Sequence, residues 1–318
     1  MTSEKKKVKA LVLLSGGLDS ILAVRLLLEQ GIEVEAVNFR TNFCGASEAR
    51  PAAKMLGVPL REVDIREEFL QVLRQPKFGY GAGLNPCIDC HALMLKKAAG
   101  IMKKEEFNFV ATGEVLGERP MSQHKEALKI VEKESGLKGY LLRPLSAKLL
   151  EPTIPEQDGR VHREKLSDIF GRSRKRQIEL AEKFGIKDYP TPAGGCALTQ
   201  AGFAGRIKEL IKHRPDFDAQ DVDLIRIGRH FFSLDELGMK FTQIILGRNQ
   251  EENEILKSAI QTKDILIEPE NFPGPTALVR GKSISEPIIQ NAKNLIFQFS
   301  PKAKNLGKPA FNIKNDNR

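Results

Sequence analysis

No stretch of about 18 apolar residues occurs in this 318-residue sequence, so no membrane-spanning helix is expected. A signal-peptide core is missing too. The first ten residues are lysine-rich, and the short apolar run after them ends in a glycine loop; cytoplasmic residence is the expectation. Cysteine is scarce, with four residues, Cys44, Cys87, Cys90 and Cys196. In a cytoplasmic chain of this size a close cysteine pair reads as metal or redox chemistry rather than as a disulfide. Absent as well are an internal repeat and the lysine of GxxxxGK[ST], and the second absence excludes a Walker-type nucleoside triphosphatase.

What is present is ordinary in bulk: 41% hydrophobic and 29% charged residues, as in globular proteins. The length suits two domains at roughly 150 residues each. A formal charge of +9 favours polyanionic partners through phosphate contacts, although surface lysines that only confer solubility produce the same number.

Along the first half, apolar runs at residues 8–14, 33–39, 59–65 and 108–112 alternate with helical patterns at 21–30, 47–56 and 92–103. Such alternation predicts a doubly wound parallel α/β sheet covered on both faces, with ligands beyond the carboxyl ends of its strands. Proline punctuation follows, and residues 163–184 read as a charged helix pair broken at Gly171. From about residue 205 the pattern shifts to short strands and turns, near 224–232, 240–246, 264–268 and 277–280. The expected division is a domain over 1–204, a smaller α+β domain over 205–300, and a disordered Lys/Asn/Pro-rich tail over 301–318.

Ser15-Gly16-Gly17-Leu18-Asp19-Ser20 lies between the first strand and the first helix. Gly16 and Gly17 let backbone N–H groups approach an anion, the helix presents its positive end, and Ser15 and Ser20 add hydroxyl donors. Asp19 does not attract phosphate; a carboxylate there makes sense as a Mg²⁺ ligand. A glycine turn with a helix cap would account for Asp19 or Ser20 but not for the whole hexapeptide.

Asn85-Pro86-Cys87-Ile88-Asp89-Cys90-His91 precedes the helix at 92–103. At a helix N-terminus a CxxC pair is expected to have lowered thiol pKa values, and it can chelate a metal or cycle as a redox pair. Cys196, in Pro192-Ala193-Gly194-Gly195-Cys196, supplies a third thiol. Cys44 is expected to be a small packing residue. Four zinc ligands would require Cys44 or His91, whereas three cysteines with an open position suit a 4Fe-4S cluster.

The SGGLDS segment resembles the SGGxDS signature of the PP-loop (HUP-like) ATP pyrophosphatases, which implies ATP cleavage to AMP with adenylation of a substrate oxygen. NPCIDCHALMLKKA, ATGEVLGERPMSQ, GYLLRPLS and GGCALT, in that order, resemble segments of the tRNA 2-thiouridylases and 4-thiouridine synthetases over about the first two hundred residues. The resemblance places Cys90 as the nucleophile, Cys196 as the second catalytic cysteine, and Thr112 and Gly113 against the adenosine; Asn38 joins the nucleotide-binding set. It implies tRNA as the substrate, ATP and Mg²⁺ as cofactors, and a sulfide or persulfide carrier as the sulfur donor.

Cys87 departs from the two-cysteine thiouridylases. A CxxC plus one distant cysteine is similar to iron–sulfur-dependent tRNA thiolases, which implies a 4Fe-4S cluster on Cys87, Cys90 and Cys196; the two-cysteine persulfide route is the alternative. Farther along, IGRHF and KFTQIILGRNQEENEIL resemble the NFACT-R RNA-binding module. There Arg229, His230, Arg248 and Asn249 stand beside glycines with Phe231 and Phe232 nearby, a pattern that suits phosphate contact and base stacking. The run Arg172-Ser173-Arg174-Lys175-Arg176 reads as a solvated helix or a phosphate rail for tRNA, and Arg119 and Gln123 are candidates for substrate contact. An amidating synthetase would not need the cysteines, and a degenerate RNA-binding adaptor would not keep Ser15, Asp19 and Ser20; sulfur transfer to a small molecule and homodimer formation stay open.

Overall fold

The computed structural model describes residues 7–190, 196–214, 216–234, 241–281, 283–303 and 308–315. The chain divides into two compact units, Met1–Gln200 and Ala201–Arg318. In the first, β1 (Lys9–Leu13), α1 (Leu18–Leu28), β2 (Glu33–Arg40), α2 (Ala49–Leu56) and β3 (Leu60–Asp64) are followed by α3 (Arg66–Arg74) and α4 (Cys87–Lys104). Then come β4 (Phe109–Ala111), α5 (Lys125–Ser135), β5 (Leu141–Leu142), the one-turn α6 (Ile154–Gln157) and α7 (Lys175–Lys183).

All five strands are parallel in the order β3-β2-β1-β4-β5. Period-two alternation divides each strand between two cores. Ala10, Val12 and Leu14 meet α1 and α2 residues such as Leu22, Leu26 and Ala53 on one face. Leu11, Val37 and Val110 meet Leu95, Ala98 and Met102 of α4 on the other. The expected doubly wound sheet is therefore present. The order turns back between β1 and β4, and at such a switch point the loops leaving two neighbouring strands diverge and open a crevice.

Two parts of this unit differ from the sequence reading. Residues 163–184 are not a helix pair: a 3₁₀ turn (Arg163–Lys165) leads into extended chain before α7. The backbone N–H groups of Ser167, Ile169 and Gly171 donate to Pro144, Leu145 and Leu116 instead of up a helix, and burial of Leu166 and Ile169 holds that path. Helix α4 starts at Cys87 rather than residue 92, so the CxxC pair occupies its first turn. The cap is already set there, because Cys90 N–H donates to Pro86 O at 2.8 Å.

The second unit contains α8 (Ala201–His213), α9 (Ala219–Leu224), β6 (Arg229–Leu234), β7 (Phe241–Leu246), α10 (Gln250–Ser258), β8 (Ile265–Pro269), β9 (Ala277–Gly281), α11 (Glu286–Gln298) and β10 (Phe311–Asn315). Its sheet is antiparallel, in the order β10-β8-β9-β7-β6. Ile244 and Leu246 face α11, and Ile245 faces α10. Residues 201–204 belong to α8 of this unit rather than to the first. The tail expected to be disordered instead supplies an edge strand: Phe311–Asn315 pairs with β8, and Phe311 meets the Phe272 ring edge-on at 5.6 Å. Composition misled there because a strand added to an existing edge is held by main-chain hydrogen bonds that any sequence without interior proline can make.

Arg280 on β9, only 2% exposed, donates to Asp264, Asp221 and the Ala259 carbonyl. Removing the guanidinium would leave the buried Asp264 without its cation and Asp221 with Arg214 alone. Arg280→Met is expected to destabilise the second unit by about 3–5 kcal/mol. Hydrogen exchange of the β8 and β9 amides under mild denaturant measures this, and unchanged protection would refute it.

Candidate active site

The candidate site grows from the exits of β1 and β4. After Leu13 the chain turns through Ser15, Gly16 and Gly17 into α1. Gly16 has φ +89°, and a Cβ there would stand 2.2 Å from the Glu48 carbonyl carbon, so only glycine fits. Gly17 caps α1 in extended conformation, and a Cβ would meet nothing nearer than Ser15 Oγ at 3.5 Å. Space beside it stays open in front of the helix N-terminus, the geometry that receives an anion. Ser20 Oγ donates to Gly17 O at 2.8 Å, and Ser15 Oγ lies 3.2 Å from Ser20 Oγ. Asn38 Nδ2 donates to Leu14 O at 2.9 Å, bracing the start of the loop from β2, while its buried Oδ1 has no partner.

Gly113, just beyond β4, presses against α1: a Cβ there would lie 2.5 Å from Ser20 N and 2.6 Å from the Asp19 carbonyl carbon. Gly113 thus lies against the phosphate loop, with Thr112 beside it in the chain. Thr112 Oγ1, however, donates to Glu114 Oε2 at 3.0 Å. Burial pushes the Asp19 carboxyl up, while Arg174, Gln177 and Arg119 pull against it. Asp19 Oδ1 is buried with no hydrogen-bond partner, which fits a carboxylate reserved for a cation such as Mg²⁺.

The thiols gather at the same end of the sheet. Cys87 and Cys90 lie one helical turn apart on α4, and the loop before them is tied to the Cys196 segment by Leu84 N–H donating to Leu198 O at 3.1 Å. Gly194 and Gly195 lie outside the described residues. Cys196 stands within electrostatic reach of Cys87 and Cys90, and its thiol shares a hydrogen bond with that of Cys44. Cys44 is therefore no packing residue: it is exposed and belongs to the thiol group. Its sequence signal was too thin to place it, because Cys44 reaches Cys196 only through the fold.

The expectation of lowered thiol pKa values is overturned. Burial raises Cys90, and the neighbouring sulfurs Cys196 and Cys87 raise it further. Burial and Cys196 raise Cys87 against the pull of Arg119. The hydrogen bond to Cys196 and the neighbouring sulfurs of Cys196 and Cys90 raise Cys44. A helix N-terminus favours one thiolate by a modest amount, and desolvation with like-charge crowding outweighs it here. Among the described residues no three His, Cys, Asp or Glu side chains form a group that could hold a single metal ion.

One feature beside the thiols was not legible. His91 Nδ1 lies 2.8 Å from Glu114 Oε1, and the Nε of Arg143, a residue 4% exposed, donates to Glu114 Oε2 at 3.0 Å. Burial opposes the charge on Glu114, yet Arg143 and His91 hold its carboxyl well below the usual range. The next residue to Cys90 is thus fixed by a buried ion pair.

In the second unit the arginine–aromatic pattern resolves mostly into structure. His230 Nε2 lies 2.7 Å from Ile227 O and its Nδ1 3.0 Å from Gln243 Nε2. Burial moves its pKa from 6.5 down to about 4, so it is neutral at pH 7. Phe231 packs against the α11 core, and Phe232 stacks 5.2 Å from Phe241. Arg248 pairs with Glu252, and Asn249 caps α10. Arg229, exposed and 4.6 Å above the Phe299 ring, keeps the cation-plus-aromatic form. Among the described residues no helix is long and apolar enough to cross a membrane.

With this geometry in place, comparison with known proteins is informative. A family model described as tRNA methyl transferase HUP domain matches residues 8–169. One described as NFACT protein RNA binding domain matches residues 228–317. Over 251 residues the chain is 30% identical to the tRNA-specific 2-thiouridylase MnmA of Syntrophotalea carbinolica, covering 71% of this chain and 66% of that protein. With the MnmA of Caldicellulosiruptor saccharolyticus the identity is 29% over 56% of this chain and 52% of the relative. With the bifunctional NifU/MnmA protein of Rubrobacter xylanophilus it is 34% over 44% and 31%. The chain thus spans between about a third and two thirds of the length of these curated relatives.

Two measurements check the electrostatics. Iodoacetamide labelling of Cys90, read by peptide mass spectrometry, is expected to be slow at pH 7 and still rising at pH 9; a plateau reached below pH 7 would restore the thiolate reading. For His230 the folded pKa lies below the unfolded one, so the unfolded chain binds the extra proton. Its contribution to stability is complete above pH 6.5 and is lost as pH falls towards 4. The second unit of His230→Gln should lose less stability than wild type across that window, measured as urea midpoints; equal losses would count against it.

Proposed function

We propose that this chain, which belongs to the family of the tRNA methyl transferase HUP domain, is an ATP-dependent tRNA uridine sulfurtransferase. The observation that carries the reading is the convergence of two chemistries at one end of the parallel sheet. The phosphate loop lies there at the β1–β4 switch point, and Arg119 acts electrostatically on both Asp19 and Cys87. An adenylating site and a sulfur-bearing site so close together suit a single substrate carbon that passes from one to the other.

A uridine carbonyl oxygen is a poor leaving group, and transfer of AMP to it makes departure feasible. The SGGLDS backbone would hold the phosphates at the N-terminus of α1, with Ser15 and Ser20 as donors. Gly113 would keep the β4 exit thin enough for the adenosine, with Thr112 beside it. Asp19 would hold Mg²⁺, which neutralises charge on the departing pyrophosphate. Asn38 would act by fixing Leu14 and offering its free Oδ1.

Cys90 and Cys196 carry the sulfur step. A persulfide on Cys90, loaded by a sulfur carrier, would attack the activated carbon with its outer sulfur, and AMP would leave. Cys196 thiolate would then attack the Cys90 sulfur, which releases the thiocarbonyl and leaves a Cys90–Cys196 disulfide for an external thiol to reduce. Because the Cys90 thiol is raised above its ordinary range, a base is needed, and His91, next to it in the chain and held by Glu114, would receive the proton. The alternative is a 4Fe-4S cluster that Cys87, Cys90 and Cys196 would hold and that would supply sulfide; no step is assigned to it.

The second unit, with its match to an RNA-binding domain, and the +9 charge support tRNA as the polymer bound. The names of the relatives point to the 2-position of uridine.

Deleting the gene should remove one thiolated uridine from total tRNA, read by nucleoside mass spectrometry. Wild type should restore it, and Asp19→Asn, Cys90→Ser and Cys196→Ser should not. If every thiolated nucleoside persists in the deletion strain, the assignment fails. Anaerobically purified protein is expected to be colourless and iron-free while still thiolating tRNA; stoichiometric iron lost in Cys87→Ala would replace the persulfide route with the cluster.

A further inference from the structure

The phosphate loop lacks a lysine, yet a triphosphate needs positive charge beyond a helix terminus and one metal ion. The structure supplies that charge from a segment outside the family match, which ends at residue 169. The chain leaves Phe170 through Gly171, at φ +83°, and enters α7 with Arg174 as its N-cap. Arg174 acts on Asp19 and, with Arg119, on Glu118. One helical turn on, Gln177 is 0% exposed, its amide facing Asp19.

The Gln177 amide attracts the Asp19 carboxylate, yet these groups fall short of a full set of partners. Both amide atoms of Gln177, Nε of Arg174 and Oδ1 of Asp19 are buried without hydrogen-bond partners. A buried amide with neither donor nor acceptor used is costly unless a ligand completes it. Neighbouring cations behave differently. Arg176 is exposed and turned back onto Asp168, with its Nη1 donating to the Asp168 carbonyl at 3.2 Å, and Lys175 is exposed and points to Glu179. Within the run Arg172–Arg176, Arg174 is the half-buried arginine, its Nε out of solvent, and it acts on Asp19 of the phosphate loop.

We propose that Arg174 and Gln177 at the start of α7, with Arg119 opposite, form a second wall of the nucleotide site and bind the phosphoryl oxygens of the departing pyrophosphate. The inference rests on the reading of SGGLDS as an ATP site and adds the residues that recognise the pyrophosphate half. It also removes Arg174 from the tRNA rail that the basic run suggested. Arg174 supplies planar, charge-assisted donors suited to a phosphoryl group, while Gln177 donates its N–H groups. Asp19 is left for the metal.

Calorimetric titration of the full chain with three probes in Mg²⁺ buffer tests this: α,β-methylene-ATP, inorganic pyrophosphate and AMP. Arg174→Ala should weaken the first two roughly 10- to 100-fold, the factor for losing one charge-assisted contact, and leave AMP nearly unchanged. Arg174→Lys should recover part of the loss, and Gln177→Leu, which keeps the arginine, should weaken pyrophosphate as well. Arg176→Ala should bind all three as wild type does. Wild-type pyrophosphate affinity in both Arg174→Ala and Gln177→Leu would overturn the inference while leaving the ATP site intact. Failure of the wild-type protein to bind either phosphate probe would overturn the ATP reading, and this inference with it.

Discussion

The first unit depends on two backbones passing closer than any side chain allows. Gly113 at the end of β4 lies against the Asp19 and Ser20 backbone at the start of α1, where an added Cβ would come within 2.5 Å of Ser20 N. That contact is available because β1 and β4 are neighbours in a parallel sheet whose order turns back between them. It pulls the β4 exit, with Thr112 and Glu114, over the phosphate loop. Through Glu114 the same exit fixes His91 on α4, next to Cys90. A methyl group at residue 113 would thus disturb the nucleotide side and the thiol side together.

Electrostatics then divides the crevice. On one side Asp19 and Glu118 are both raised, first by burial, and both feel Arg174 and Arg119. On the other, burial and the neighbouring sulfurs raise Cys87 and Cys90. Arg119 lies between, lowering both Asp19 and Cys87. The site is therefore incomplete as a set of charges: it has a carboxylate oxygen, amide atoms and a guanidinium nitrogen buried without partners. Buried polar atoms of this kind are rare in finished cores and expected where a ligand supplies the missing contacts.

The second unit takes the opposite course. Arg280, Asp264 and Asp221 satisfy one another at the centre of the unit, and His230, which looked like a surface reader of phosphate, is neutral and hydrogen-bonded on both ring nitrogens. The glycines beside the arginines serve close backbone contacts: Gly228 at φ +69° lies against Leu246 O, and a Cβ at Gly247 would stand 2.1 Å from Asn253 Oδ1. The pattern was real, and packing explains most of it.

The sequence by itself determined what is local. Strand–loop–helix periodicity specified the parallel sheet, and SGGLDS specified a phosphate loop, because both depend on residues adjacent in the chain and on glycine's freedom at position 16. It could not place groups whose meaning lies in distant partners. Cys44 reads as a packing residue until the fold sets its sulfur against Cys196, and Arg174 reads as one charge in a solvated run until α7 turns it inward while Arg176 folds back on Asp168. Thiol acidity went the same way: helix position is written in the sequence, but desolvation and crowding of like charges outweigh it and exist only once the chain has closed. Tertiary structure decided these because burial and charge–charge energy depend on separation in space, which sequence spacing does not measure.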